Sequence, residues 1–377
     1  MKRKRFLYCS LFFVFLMVAG KGSQALELSA KQVLLIDLTT NTVLYEKNAD
    51  ELMTPSSMSK IMLVYDVFSR LKDGRLDLKD TFRVSANAWR KGGSRMFVEP
   101  GTYVSLEDLL KGIIIQSGND ASIVIAEGIA GSESAYASYL TEQAHDLGAK
   151  TASFKNATGW PDPEHKMSAR DLAIIAQKTI EDFPEKYKMY AQKTFTYNNI
   201  KQGNRNPLLY DHAIKADGMK TGASEDGGFG LVGSVEEDGR RLLFVINGCP
   251  SVKQRAQDAR VLVRWGVREF IQVVPVKAGE VIGKVEIING KKRFLDIVAE
   301  EDFKATIPVR YKDSVKFSVK ETPINAPVVS GQEVGIAVLA NAKGDVLKSW
   351  PLYAGIDVEE MGFLGRLWQK VLRFFLG

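Results

Sequence analysis

Residues 61–68 read Ile61-Met62-Leu63-Val64-Tyr65-Asp66-Val67-Phe68, apolar on nearly every side of a helix. Such a helix has almost no face to give to water, so it must be covered all round in the middle of a domain. Thr54-Pro55-Ser56-Ser57 precedes it; Thr54 suits an N-cap and Pro55 a first turn. The chain has 377 residues, 45% hydrophobic and 25% charged, enough for that core and for a second domain.

Around the buried helix the pattern alternates between strand and helix signals. Gln32–Leu38 and Thr42–Tyr45 read as two strands joined by a polar turn. Residues 106–180 read as mainly helical, with loops at Ser117–Asn119 and Asn156–His165, the second carrying Gly159, Pro161 and Pro163. Residues 217–222, 229–235 and 241–248 then read as strands, and 261–270 as a helix. Strands from both ends of this stretch can share one antiparallel sheet flanked by helices, with the helical block inserted, which makes the fold class α+β. From residue 273 the texture is short β-type runs at 281–288, 303–309, 315–319 and 334–339, the signature of a small all-β domain. The expected organisation is a leader over 1–25, a catalytic domain over 26–272, the β domain over 273–357 and a tail helix over 358–377.

The net charge of +6 does not point to nucleic acid. Lys2, Arg3, Lys4, Arg5 and Lys21 lie in the first 25 residues, which hold no acid; the remaining 46 basic residues face 45 acidic ones. That first stretch has a basic start, an apolar run over 6–20 and small residues at Ser23 and Ala25, so it reads as a secretory signal peptide cleaved after Ala25. Of the two cysteines, Cys9 falls in the leader, leaving Cys249 without an internal disulfide partner. His145, His165 and His212 show no zinc-ligand spacing, and no cofactor is implied.

The tail is distinct. On a helix Arg366, Gln369, Lys370 and Arg373 share an arc of about 100°, and Phe363, Leu364, Leu367, Trp368, Val371, Leu372, Phe374, Phe375 and Leu376 fill the rest. It is too short and charged to span a bilayer and suits the interface of an anionic leaflet; the alternative is a helix packed on the protein itself.

Three short motifs carry the chemistry: Ser57-Met58-Ser59-Lys60, Ser117-Gly118-Asn119 and Lys220-Thr221-Gly222. Spacing i, i+3 puts Ser57 and Lys60 on one helical face, with Ser57 in a first turn whose unpaired N–H groups can meet an oxyanion. A serine hydroxyl needs a base, and Lys60 can serve if burial and a neighbouring cation keep it neutral. Ser117 could relay a proton and Asn119 hold a substrate carbonyl. Lys220 would bring the second positive charge, and Gly222 would let a substrate backbone approach the strand edge. Taken singly, each motif also reads blandly, as a helix cap, a turn and an aggregation-blocking edge lysine.

In this order in one chain, the motifs are identifiable as those of penicillin-recognising enzymes. Together with Thr54–Lys60, Gln116–Asp120, Asp217–Gly222, Arg255 to Gly266 and the tail from Val358 to Trp368, the chain resembles the low-molecular-mass penicillin-binding proteins of the 5/6 type, serine-type D-alanyl-D-alanine carboxypeptidases. The resemblance implies a penicillin-binding/β-lactamase-like transpeptidase fold and removal of the terminal D-Ala from peptidoglycan stem pentapeptides. Ser57 would be the nucleophile, Lys60 the proton acceptor and Ser117 the shuttle. Lys220, Asn119 and Thr221 would bind substrate, Arg255 its terminal carboxylate, and the amides of Ser57 and Ala223 the oxyanion. It also implies β-lactam inhibition and placement on the outer leaflet of the cytoplasmic membrane. Ala223 and Ser224 depart from the bulkier residue and the Thr common after Lys-Thr-Gly, which bears on substrate preference. A β-lactamase would need a deacylating glutamate, and no Glu-x-x-Leu-Asn pattern lies between Asn119 and Lys220. A non-catalytic scaffold and an added endopeptidase activity are the other readings.

Overall fold

The structure, a computed structural model, describes residues 26–368. They divide into two compact units, one ending at Arg268 and the next beginning at Glu269.

The first unit is built on a five-stranded antiparallel sheet. Its strands are β1 (Gln32–Asp37), β2 (Thr42–Lys47), β7 (Ala216–Ser224), β8 (Gly228–Glu237) and β9 (Arg240–Cys249), in the order β2-β1-β9-β8-β7. Strands from the two ends of the unit meet where β1 pairs with β9. The intervening chain supplies α1 (Lys60–Lys72), hairpin strands β3 (Thr81–Arg83) and β4 (Tyr103–Ser105), α2 (Ala86–Arg90), α3 (Leu106–Gln116), α4 (Asn119–Ala130), α5 (Glu133–Asp146), α6 (Ala169–Asp182), α7 (Pro184–Tyr187) and hairpin strands β5 (Thr194–Tyr197) and β6 (Ile200–Gly203). Helix α8 (Val252–Glu269) closes the unit and begins nine residues before the expected 261.

Helix α1 is the core element its sequence demands. Ile61, Met62, Leu63, Val64, Val67 and Phe68 are all buried, in one cluster with residues of α3, α4, α5 and α6. Its buried acid, Asp66, accepts from Tyr136 Oη at 2.6 Å, Tyr139 Oη at 3.2 Å and Arg70 Nε at 2.9 Å, so the charge is compensated on every side.

The helix does not start where Pro55 suggested. Residues Ser56–Ser59 form a 3-10 turn, and the α-helix begins only at Lys60. Ser56 sits at φ 49°, which interrupts the helical path, and Thr54 accepts a bond from Lys166 Nζ instead of capping.

The second unit is all-β: β10 (Phe270–Val276), β11 (Val281–Ile288), β12 (Phe294–Val298), β13 (Phe303–Pro308), β14 (Lys316–Glu321), β15 (Ile324–Asn325), β16 (Glu333–Ala340) and β17 (Val346–Tyr353). They pair as β10-β13, β12-β11-β15 and β14-β16-β17 over a separate core that includes Val285, Ile287, Ile297 and Leu352. The boundary expected at 272–273 falls inside β10, whose partner β13 belongs to this unit. A short helical segment covers residues 363–368; the remainder of the tail and the leader, with Cys9, lie outside the described residues.

Candidate active site

Ser57 lies in the 3-10 turn one residue past the strained Ser56, and Lys60 opens α1 behind it. Lys60 Nζ is 2.9 Å from Ser57 Oγ and 2.8 Å from Asn119 Oδ1, and it also contacts the carbonyl of Thr158. The amine is wholly buried, and burial brings it down to about 7. The Arg205 guanidinium is the next cause of that lowering and Lys91 a smaller one, opposed by Asp120 and Glu133.

Asn119 is the first residue of α4 rather than part of a loop. Its amide donates to the Gly92 carbonyl at 2.9 Å, which fixes Oδ1 toward Lys60. Ser117 caps the end of α3 in the left-handed region, at φ 65°, and Asp120 accepts from the amides of Met96, Phe97 and Val98. The segment 92–98 is thus lashed to the start of α4. Ser117 Oγ is buried and makes no hydrogen bond among the described residues, so its hydroxyl is uncommitted.

Lys220 and Thr221 stand on β7, the edge strand. A Cβ on Gly222 would lie 2.7 Å from the Pro55 carbonyl oxygen and 3.3 Å from Ser56 Cβ, so the glycine lets β7 pack close against residues 55–59. Lys220 and Lys60 lie close enough for their charges to oppose one another. The Lys220 amine is pushed well below the lysine range by complete burial, then by Lys60, Arg205 and Arg255. Two buried amines cannot both hold a proton cheaply, and the guanidinium of Arg205 adds a further cation near both. Lys220 Nζ donates to the Thr221 carbonyl at 3.2 Å.

Arg255 is buried on α8, and its Nε has no hydrogen-bond partner among the described residues. It is close enough to Lys220 to lower that amine. Arg205, Arg255 and Lys91 thus bring cationic charge near the amines of Lys60 and Lys220, an arrangement suited to an anionic substrate.

A family model described as D-alanyl-D-alanine carboxypeptidase matches residues 19–251, and one described as penicillin-binding protein 5, C-terminal domain, matches residues 270–360. The chain belongs to the D-alanyl-D-alanine carboxypeptidase family. The carboxypeptidase is 35% identical to D-alanyl-D-alanine carboxypeptidase DacC of Escherichia coli K12, over 97% of this chain and 94% of that one. It is 32% identical to DacF of Bacillus subtilis, over 92% and 90% respectively. Among solved structures, penicillin binding protein 5 from Haemophilus influenzae superposes with a TM-score of 0.84 at 34% identity, covering 90% of this chain and all of that one. The α+β fold, the all-β second domain and the serine-type carboxypeptidase class all stand on these matches.

Sequence reasoning missed Arg205, Asp120 and the Thr158 carbonyl. A signal for the last lay in Gly159. At φ 70° a Cβ there would sit 2.1 Å from the Ser56 carbonyl oxygen, so only glycine lets the 158–160 segment lean on the 3-10 turn that carries Ser57.

Proposed function

We propose that the carboxypeptidase removes the terminal D-Ala from peptidoglycan stem pentapeptides through an acyl-enzyme on Ser57. The observation that carries this is the contact of 2.9 Å between Ser57 Oγ and an amine held at about 7 by burial. Neutral Lys60 takes the hydroxyl proton as Oγ bonds to the carbonyl carbon of the penultimate D-Ala. The C–N bond then breaks, and the proton passes by way of Ser117 to the leaving amine. Water hydrolyses the ester, with Lys60 again accepting the proton. The amides of Ser57 and Ala223 receive the oxyanion, a donor of this kind contributing about 2.7–4 kcal/mol. Asn119, Lys220 and Thr221 orient the peptide along the open edge of β7, and Arg255 takes its terminal carboxylate with a bidentate fork. β-Lactams, which mimic the D-Ala pair, acylate the same hydroxyl. The test measures D-Ala release from a pentapeptide while mapping a labelled penicillin adduct by mass spectrometry. The adduct belongs on Ser57, and Ser57→Ala should lose both signals; an adduct elsewhere overturns the assignment.

We further infer that the enzyme works on the outer face of the cytoplasmic membrane, held there by its tail. Phe363, Leu364, Leu367 and Trp368 are 72%, 79%, 53% and 65% exposed, a cluster of large apolar groups that interfacial insertion would cover. No helix among the described residues is long and apolar enough to cross a membrane.

A further inference from the structure

Lys91 and Trp160 stand at the rim of the site, unused by the mechanism above. Lys91 Nζ lies over the Trp160 ring, 4.6 Å from its centroid. Trp160 is 44% exposed, so its ring is partly open to solvent. Its position is fixed from the backbone, since Trp160 N donates to Asn156 Oδ1 at 3.0 Å and to Thr158 Oγ1 at 3.2 Å. Residue 158 is also the one whose carbonyl contacts Lys60. On the other side, Gly93 brings the 92–94 segment against both groups: a Cβ there would be 2.9 Å from Asn119 Nδ2 and 3.1 Å from Trp160 Cζ3. The indole therefore flanks the amide that bonds Lys60, and Lys91 is near enough to that amine to lower it.

The charges here are unbalanced. Lys91 makes no ion pair among the described residues. The nearby acids are already occupied, Asp120 by backbone amides of residues 96–98 and Glu133 by the amide of Ala157. The terminal carboxylate of the substrate has Arg255. Lys91 is a further cation, placed above an aromatic plate on the wall formed by residues 92–93 and 158–160.

Resting on the carboxypeptidase reading of the site, we propose that Lys91 and Trp160 form a specificity subsite for the residue preceding the D-Ala pair, and that it selects a side chain whose methylenes end in a carboxylate. The indole covers the methylenes and the ammonium pairs with the carboxylate; a side chain ending in an amine meets like charge.

Three acetylated tripeptides ending in D-Ala-D-Ala test this, with L-α-aminoadipate, L-norleucine or L-lysine as the first residue. They have side chains of similar length and differ in terminal charge. The full-length enzyme should release D-Ala with kcat/KM in the order aminoadipyl, norleucyl, lysyl, with roughly fivefold between the extremes, as a partly exposed charge contact allows. Added salt should shrink that ratio. Lys91→Glu should reverse the order, and Trp160→Ala should lower kcat/KM for all three. Any effect of Lys91 on the proton affinity of Lys60 is common to the three peptides and cancels in their ratio. Equal kcat/KM across the set, or an order that survives Lys91→Glu, overturns the proposal. Failure of the unaltered enzyme to release D-Ala from any of them would instead overturn the carboxypeptidase reading beneath it.

Discussion

In the proposed reaction Lys60 has to be neutral to receive a proton and buried to be neutral, so its environment would decide the pH at which the enzyme works. With the amine at about 7, kcat/KM should climb as pH rises through 7, because the unprotonated fraction grows above that value, and then level off. Arg205 is the largest charge contribution to this lowering. Replacing it by Gln removes a cation, so Lys60 holds its proton more strongly and the acid limb moves to higher pH. The measured profile should show Arg205→Gln weak at neutral pH and partly recovered in alkaline buffer, whereas Arg205→Lys keeps the limb near its original place. A loss of activity with an unmoved limb would mean that Arg205 acts only by contacting substrate. The need for a buried Lys60 beside a cation was legible in the sequence; the identity of Arg205 as such a cation was not. The Ser57–Lys60 pair could be read because i, i+3 spacing enforces it, but the groups that tune Lys60 come from positions 119, 158 and 205, brought in by packing.

At the scale of elements, the site is a place where three backbone segments touch without side chains between them. Gly159 lies against the Ser56 carbonyl, and Gly222 lies against that of Pro55. A methyl at either position meets backbone oxygen, which cannot swing away as the end of a side chain would. Gly222→Ala should therefore push β7 off the nucleophile turn, and Gly159→Ala, strained besides by its positive φ, should displace the Thr158 carbonyl from Lys60. Both variants should still fold, since the contacts lie at the rim of a large core. Penicillin acylation should drop on the order of 100-fold, as for reacting groups displaced by about an ångström. Stopped-flow acylation beside a thermal melt separates this from unfolding. The strands β8 and β9 were readable because their apolar runs are bounded by Gly/Asp turns, and α1 because nothing but a core can hold it. The 3-10 start of α1 was not readable: Pro55 signals a helix start, but the positive φ of Ser56 follows from the close approach of residues 159, 222 and 227, distant in sequence.

The two units have separate apolar cores, and Val358, at the start of the expected tail, belongs to the second. The last contacts of the described chain with the β unit can be located. Val358 pairs with Val328, Glu360 bridges to Gly290, Lys291 pairs with Glu359, and Met361 N donates to Asn289 O at 2.7 Å. Up to residue 361 the chain is stitched into the β unit, so a truncation meant to test the membrane anchor should begin at Gly362. Residues 362–377 contain Arg366, Lys370 and Arg373 and no acid. With the leader also gone, 43 basic residues would face 45 acidic ones, and the shortened enzyme would carry a weak net negative charge. Its affinity for an anionic leaflet should fall twice over, through loss of apolar insertion and loss of attraction. On vesicles containing anionic lipid, the enzyme ending at Met361 should stay in the supernatant after sedimentation while the full chain pellets, with kcat on a soluble tripeptide the same for both. Raising salt should release the full chain only in part, because the apolar contribution is unscreened. If the shortened enzyme still pellets, the membrane contact lies in residues before 362 and the exposed Phe363–Trp368 cluster serves another surface.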